Sequence, residues 1–205
     1  MMQALDKQSG GMHPEGNRHF THQTVTWEQF KAIQAGFEGV ANLRLLYCEG
    51  VLEIAGIGKP HEAYRCLLAG LLLAYFEIEG IEFFPSGAYS QIVPSVTEFQ
   101  SDLSYCFDTD KDIPDLCVEI VITSGSPSKL RKYELRGVPE VWFWEDGAIE
   151  VYCLQSDRYV RVNRSHLLPN LDLSVICHCL LLTSPLEALR KFRKSITESK
   201  QSSAL

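Results

Sequence analysis

The sequence predicts a mixed α/β protein of the α+β kind, and three observations carry that expectation. Strand-like runs gather in the middle of the chain with few helices between them, a pattern of hairpins and not of repeated βαβ units. A long helix, apolar on more than one face, precedes most of them, and an amphipathic helix closes the chain. The 205 residues, 45% of them hydrophobic, supply one ordinary domain with a sizeable core, and no internal repeat is visible.

Residues 1–23 are polar, and rich in Gly and His, and read as a disordered leader in which His13, His19 and His22 are incidental. A single domain is expected over 24–195. It opens with "TWEQFKAIQAGF", where Thr26 and Gln29 form a capping box and Trp27, Phe30 and Ile33 keep helical spacing. "LRLLYCEGVLEIAG" reads as two strands, Leu43 to Cys48 and Val51 to Ala55, turned at Glu49-Gly50. From His61 to Glu79 no proline interrupts a largely apolar helix whose first residues are the polar pair His61-Glu62. Three strands follow, at Ile81 to Pro85, near Tyr89 to Val93, and at Ser101 to Phe107, the last with Leu103, Tyr105 and Phe107 alternating against Asp102, Ser104 and Cys106.

A further strand spans 116–123. "SKLRKYELRG" is helical and ends at Gly137, a natural C-cap, with Pro139 just beyond. "EVWFWED" and "AIEVYCL" make a hairpin near Asp146-Gly147, and "YVRV" is one more strand. "SPLEALRKFRKSI" forms the closing helix, capped by Ser184, and residues 196–205 are expected as a flexible tail.

Charge and cysteines narrow the function classes. A net charge of −7 argues against a surface coated for nonspecific nucleic-acid binding, which depends on neutralising phosphates with Lys and Arg. Two basic clusters, Lys129 to Arg136 and Leu189 to Lys194, read as solvated helix faces and leave a local basic cleft open. The seven cysteines lack the CxxC pairs of a zinc site and read as reduced core thiols, with Cys177-His178-Cys179 too tightly spaced for a structural zinc. With no apolar run long enough to span a bilayer and no secretory signal pattern, the expected location is cytoplasmic, away from membranes.

The chemistry concentrates in "PDLCVEIVITSGSPSK", Pro114 to Lys129, where Glu119 interrupts a β-branched run. Period-two geometry puts Glu119 on one face with Asp115, Cys117 and Val121. If the strand carrying Asp102 pairs with it, Asp102 and Glu119 converge at one end of the sheet. Two half-buried carboxylates at contact distance repel, and must share a proton or receive a cation. Mg²⁺ is commonly held by one or two carboxylates with water and phosphate oxygens. Lys129, opening the next helix, is placed to reach the same edge and orient the attacking water or steady phosphoryl charge. The alternatives are a solvent-facing Glu119, or one held in a salt bridge by Arg131 or Lys132.

In order along the chain, "LLYCEGVLEI", His61-Glu62, "SDLSY" at 101–105, "PDLCVEIVITSGSPSK" and "YELRGVPEVWFW" resemble the Uma-two family of restriction endonucleases. That family is abundant in cyanobacteria and belongs to the PD-(D/E)XK nuclease superfamily. The similarity runs from about Thr26 to Leu154. It implies a restriction-endonuclease-like fold, with a central mixed β-sheet flanked by helices and a metal held where strands diverge. By resemblance Asp102 matches the first metal-binding aspartate, Glu119 the acid of the second half-motif, Lys129 the lysine on the following helix, and Glu62 an acid from an early helix. His61, Asp115 and Glu49 are accessory candidates. The resemblance further implies Mg²⁺ or Mn²⁺ as cofactor, DNA as substrate and a homodimer.

The chain departs from the family pattern at Val121, where the half-motif has lysine, at Ser101, where the family has proline, and at residues 55–58, "AGIG". The expected function is a Mg²⁺-dependent DNA endonuclease. Its rivals are a non-catalytic nuclease-fold module that binds DNA or protein, and a metal-dependent hydrolase of a small phosphorylated molecule. No base-reading motif stands out.

Overall fold

The structure, a computed structural model, describes residues 19–122 and 129–203. His13 and the 123–128 part of the motif stretch lie outside the described residues.

Among the described residues, eleven strands and five helices follow one another as β1(His19–His22), α1(Trp27–Gly36), β2(Leu43–Cys48), β3(Val51–Gly56), α2(Lys59–Glu79), β4(Phe83–Pro85), β5(Ser90–Val93), β6(Thr97–Gln100), β7(Leu103–Phe107), β8(Leu116–Val121), α3(Leu130–Arg136), β9(Glu140–Glu145), β10(Ala148–Gln155), β11(Arg158–Val162), α4(Leu173–Leu180) and α5(Pro185–Ser203). They build two sheets. A mixed six-stranded sheet has the order β11-β10-β9-β8-β7-β4, with β8 and β9 parallel; a five-stranded antiparallel sheet has the order β1-β3-β2-β6-β5.

The apolar face of β8, Leu116, Val118 and Ile120, joins Leu103, Tyr105, Trp142 and Trp144 from its neighbours in the largest core. Buried residues of α2, α4 and α5, including Leu68, Leu72, Phe76, Ile176 and Phe192, cover that face. Cys117 and Val121, on the other face, pack with Leu130 and Tyr133 of α3, with Val141 and Phe143 of β9, and with Phe99 of the second sheet. The second sheet carries α1 on a smaller core of Val25, Phe30, Tyr47 and Leu52. This is the mixed central sheet flanked by helices that the family resemblance implies.

Local chemistry sets many boundaries. Thr26 and Gln29 close the capping box as expected, Thr26 N–H donating to Gln29 Oε1 at 2.8 Å and Gln29 N–H to Thr26 Oγ1 at 3.2 Å. Asp146 and Gly147 both have positive φ, the requirement of a type I′ hairpin turn, and Gly137 ends α3 at φ 79° in the left-handed region.

Two sequence expectations change at the ends. His19–His22, assigned to the leader, forms β1 by pairing with β3. The stretch assigned to a flexible tail continues α5 to Ser203. Ile196 is buried beside Phe192, and Lys200 Nζ donates to the Ile78 carbonyl at 2.7 Å, so contacts with α2 extend the helix beyond its apolar repeat. All seven cysteines are free, and four of them are buried. No helix among the described residues is long and apolar enough to cross a membrane.

Candidate functional site

Strands β7 and β8 run antiparallel with Leu103 opposite Val118. One residue further along each strand stand Asp102 and Glu119, on the face opposite the main core. Here the ladder ends, and the Ile120 N–H donates instead to Asp102 Oδ2 at 2.7 Å. The pair sits at this divergence, at the wall of a cleft of about 110 Å³ between the two sheets. Arg44, His61, Lys129 and Lys132 line the same cleft.

Asp102 is 1% exposed, and both its oxygens are engaged. Arg44 Nη1, from β2 of the second sheet, donates to Oδ1; His61 Nε2, from the first turn of α2, lies 3.0 Å from Oδ2. Burial acts to raise the Asp102 carboxyl, but the His61 hydrogen bond and the Arg44 and His61 charges outweigh it and hold the group well below the usual carboxylate range. For His61, burial acts to lower the imidazole, and its hydrogen bond to Asp102 and the adjoining negative charge raise it overall.

Glu119 is the neighbouring, separately neutralised anion. Its Oε1 accepts from Lys132 Nζ at 2.7 Å and from the Tyr133 hydroxyl, both on α3. Lys132 Nζ also lies 5.0 Å from the Phe99 ring centroid and 4.9 Å from that of Tyr133, which fixes it between the sheet and the helix. Burial, and then the charge of Glu119, push the Tyr133 phenol well above its ordinary value. The lysine that touches Glu119 is therefore Lys132, three residues beyond the expected Lys129. Lys129 is half-buried in the cleft and makes no contact with Glu119 among the described hydrogen bonds.

The remaining candidates lie elsewhere. Glu62 turns to Arg65, whose Nη2 donates to its Oε2 at 2.7 Å; that hydrogen bond lowers the Glu62 carboxyl, and the residue does not line the cleft. Its closest approach to the site is a long 3.4 Å contact with His61 Nδ1. Glu49, in the β2–β3 turn, is exposed and bound by Arg131 at 2.8 and 2.9 Å. Asp115 takes the Phe107 N–H at 2.8 Å and Lys111 Nζ at 2.7 Å, so it tethers the 108–114 loop at the far end of β8. Sequence reasoning missed Arg44, a lone cation in an otherwise apolar strand with no local partner to mark it.

Among the described residues no three His, Cys, Asp or Glu side chains cluster to hold a metal ion. The donor chemistry nevertheless fits a hard divalent cation at the carboxylate pair. Two carboxylates on adjacent strands face one cleft, and Glu119 Oε2 has no hydrogen bond to a described residue. Asp102 meets the same requirement only by giving up one of its present donors.

No curated protein matches the chain. A crystal structure described as "a putative nuclease belonging to DUF820 from Anabaena variabilis ATCC 29413" superposes with a TM-score of 0.47 at 14% identity, covering 82% of this chain and 99% of that one. Residues 27–181 match the sequence profile of Uma2, described as "Putative restriction endonuclease". That span is well over half the chain and holds Asp102, Glu119, Lys129 and Lys132 of the cleft, and the protein belongs to the Uma2 family.

Proposed function

We propose that this protein is a divalent-metal-dependent endonuclease that hydrolyses phosphodiester bonds in DNA, with its reacting groups at the Asp102–Glu119 notch. The observation that carries the reading is the pairing of these two buried carboxylates, side by side where β7 and β8 part, on a cleft that also presents Arg44, His61, Lys129 and Lys132. Family membership supports the nuclease class.

In this reading Asp102 and Glu119 hold Mg²⁺ or Mn²⁺. When bound, such an ion polarises a phosphate oxygen and makes the attacking water more acidic. Lys132 and Tyr133 hold Glu119 through Oε1, leaving Oε2 without a hydrogen bond to a described residue. Lys129, half-buried and facing the same space, orients the water or takes up the negative charge that grows on the phosphoryl oxygens. Val121 leaves no lysine on β8 itself, so both lysines of the site come from α3 and the turn that starts it. A homodimer presents one such cleft to each strand of a duplex, and sedimentation velocity tests for it.

The saturation of Asp102 by protein donors favours one second reading, a non-catalytic module that keeps the fold and binds DNA. Cleavage of supercoiled plasmid by the wild type, Asp102→Asn and Glu119→Gln, with Mg²⁺, Mn²⁺ or chelator, separates the two. Metal-dependent nicking that both substitutions abolish supports the nuclease. Equal nicking by all three overturns the site, and DNA binding without nicking by the wild type supports the module.

A further inference from the structure

Asp102 and Glu119 are neutralised by two cations of unlike exposure. Lys132 is 6% exposed in its side chain, sits over two aromatic rings and binds Glu119 from within the core. Arg44 is 19% exposed, lines the cleft and comes from the opposite sheet, near the start of β2. Its guanidinium takes the Asp102 oxygen, Oδ1, that neither His61 nor the Ile120 amide uses. A divalent cation arriving at Asp102 meets a positive charge already on the oxygen that His61 and the Ile120 amide leave open. Neither the His61 ring, buried on α2, nor the backbone amide of a core strand can yield as readily as a long side chain already at the cleft wall.

We propose that Arg44 is a built-in counter-ion that must leave Asp102 for a divalent cation to enter, and that a phosphate of the DNA then takes up the released guanidinium. This rests on the carboxylate site proposed above. Guanidinium matches phosphate as well as carboxylate, through paired N–H donors in one plane, so the group exchanges one anion for another within the cleft. Because each partner removes the other's obstacle, cation and DNA bind cooperatively, and the coupling is reciprocal. Without DNA, Arg44 offsets the charge of Asp102 and keeps cation affinity low.

The test is Mn²⁺ binding by calorimetry to the full chain as wild type, Arg44→Ala, Arg44→Gln and Asp102→Asn, each checked for a folded melting transition. Titrations are run without DNA and, with Ca²⁺ in place of Mn²⁺, with a short duplex. The expected result is that Arg44→Ala binds Mn²⁺ about tenfold more tightly than the wild type, with Arg44→Gln shifted the same way. Asp102→Asn loses the site. The duplex tightens Ca²⁺ binding by the wild type about tenfold, and by Arg44→Ala scarcely at all. Equal or weaker Mn²⁺ binding by both Arg44 variants, with Asp102→Asn still abolishing it, overturns the counter-ion role and leaves the carboxylate site standing. Unchanged binding by Asp102→Asn overturns that site and the Arg44 proposal with it.

Discussion

Glu119 is tolerated in the middle of a buried strand because α3 brings two donors to one of its oxygens. Removing the charged one leaves an uncompensated anion in the core. Lys132→Met is expected to cost about 3–5 kcal/mol, read from urea unfolding, and Glu119→Gln combined with Lys132→Met to recover much of the loss. Lys129 is a contrasting case, half-buried and without a described ion pair. Lys129→Ala should stay within about 0.5 kcal/mol of wild-type stability while lowering plasmid nicking, which separates a role in the cleft from one in folding. Asp102 and His61 give a pH signature. The Asp102 carboxyl is depressed, so its contribution is present above its ordinary value of 3.8 and is lost as pH falls through the lower folded value. The His61 imidazole is raised, so its contribution is complete below its ordinary value of 6.5 and is lost as pH rises through the higher folded value. The pair therefore stabilises most between about pH 4 and 6.5. Melting temperature against pH should show the wild-type advantage over His61→Gln narrowing above that window, and a constant difference across it and beyond would contradict the assignment.

At the scale of elements, α3 is the part on which the site most depends. It has only seven residues and no side-chain N-cap bond, yet it supplies Lys132 and Tyr133, and its end is set by Gly137 in the left-handed region. A Cβ at Gly137 meets no atom within 4 Å, so Gly137→Ala should cost about 1–2 kcal/mol through backbone conformation alone, measurable by thermal unfolding. The helices with capping signals and the hairpins with Gly turns were legible in the sequence. Strand β6 was not: "TEFQ" is four residues long, and its buried Glu98 looks like a surface residue until Lys31 and Gln34 of α1 are seen to bind it at 3.0 and 2.6 Å. Helix α4 was missed because "LSVICHCL" is apolar at almost every position, which gives no period. Its start is marked only by Asp172, whose side chain takes the Ser174 N–H at 2.9 Å.

For the whole molecule, the cleft exists because two sheets meet around it, and Phe99 is a principal joint. This buried β6 residue packs edge-on against Tyr133 at 4.8 Å and lies under Lys132, without lining the cleft. Phe99→Ala should destabilise by about 3–5 kcal/mol in urea and also reduce nicking, because the cavity loosens the helix that positions Glu119. The sequence by itself determined the α+β class, the Asp102–Glu119 pair on adjacent strands, and the family, since strand period, turn chemistry and motif order are local properties of the chain. Only the tertiary structure decided that there are two sheets, that Lys132 and not Lys129 holds Glu119, and that Arg44 closes on Asp102. Those contacts join residues 13 and 58 positions apart, and a buried charge finds its partner by position in space, which no periodicity along the chain records.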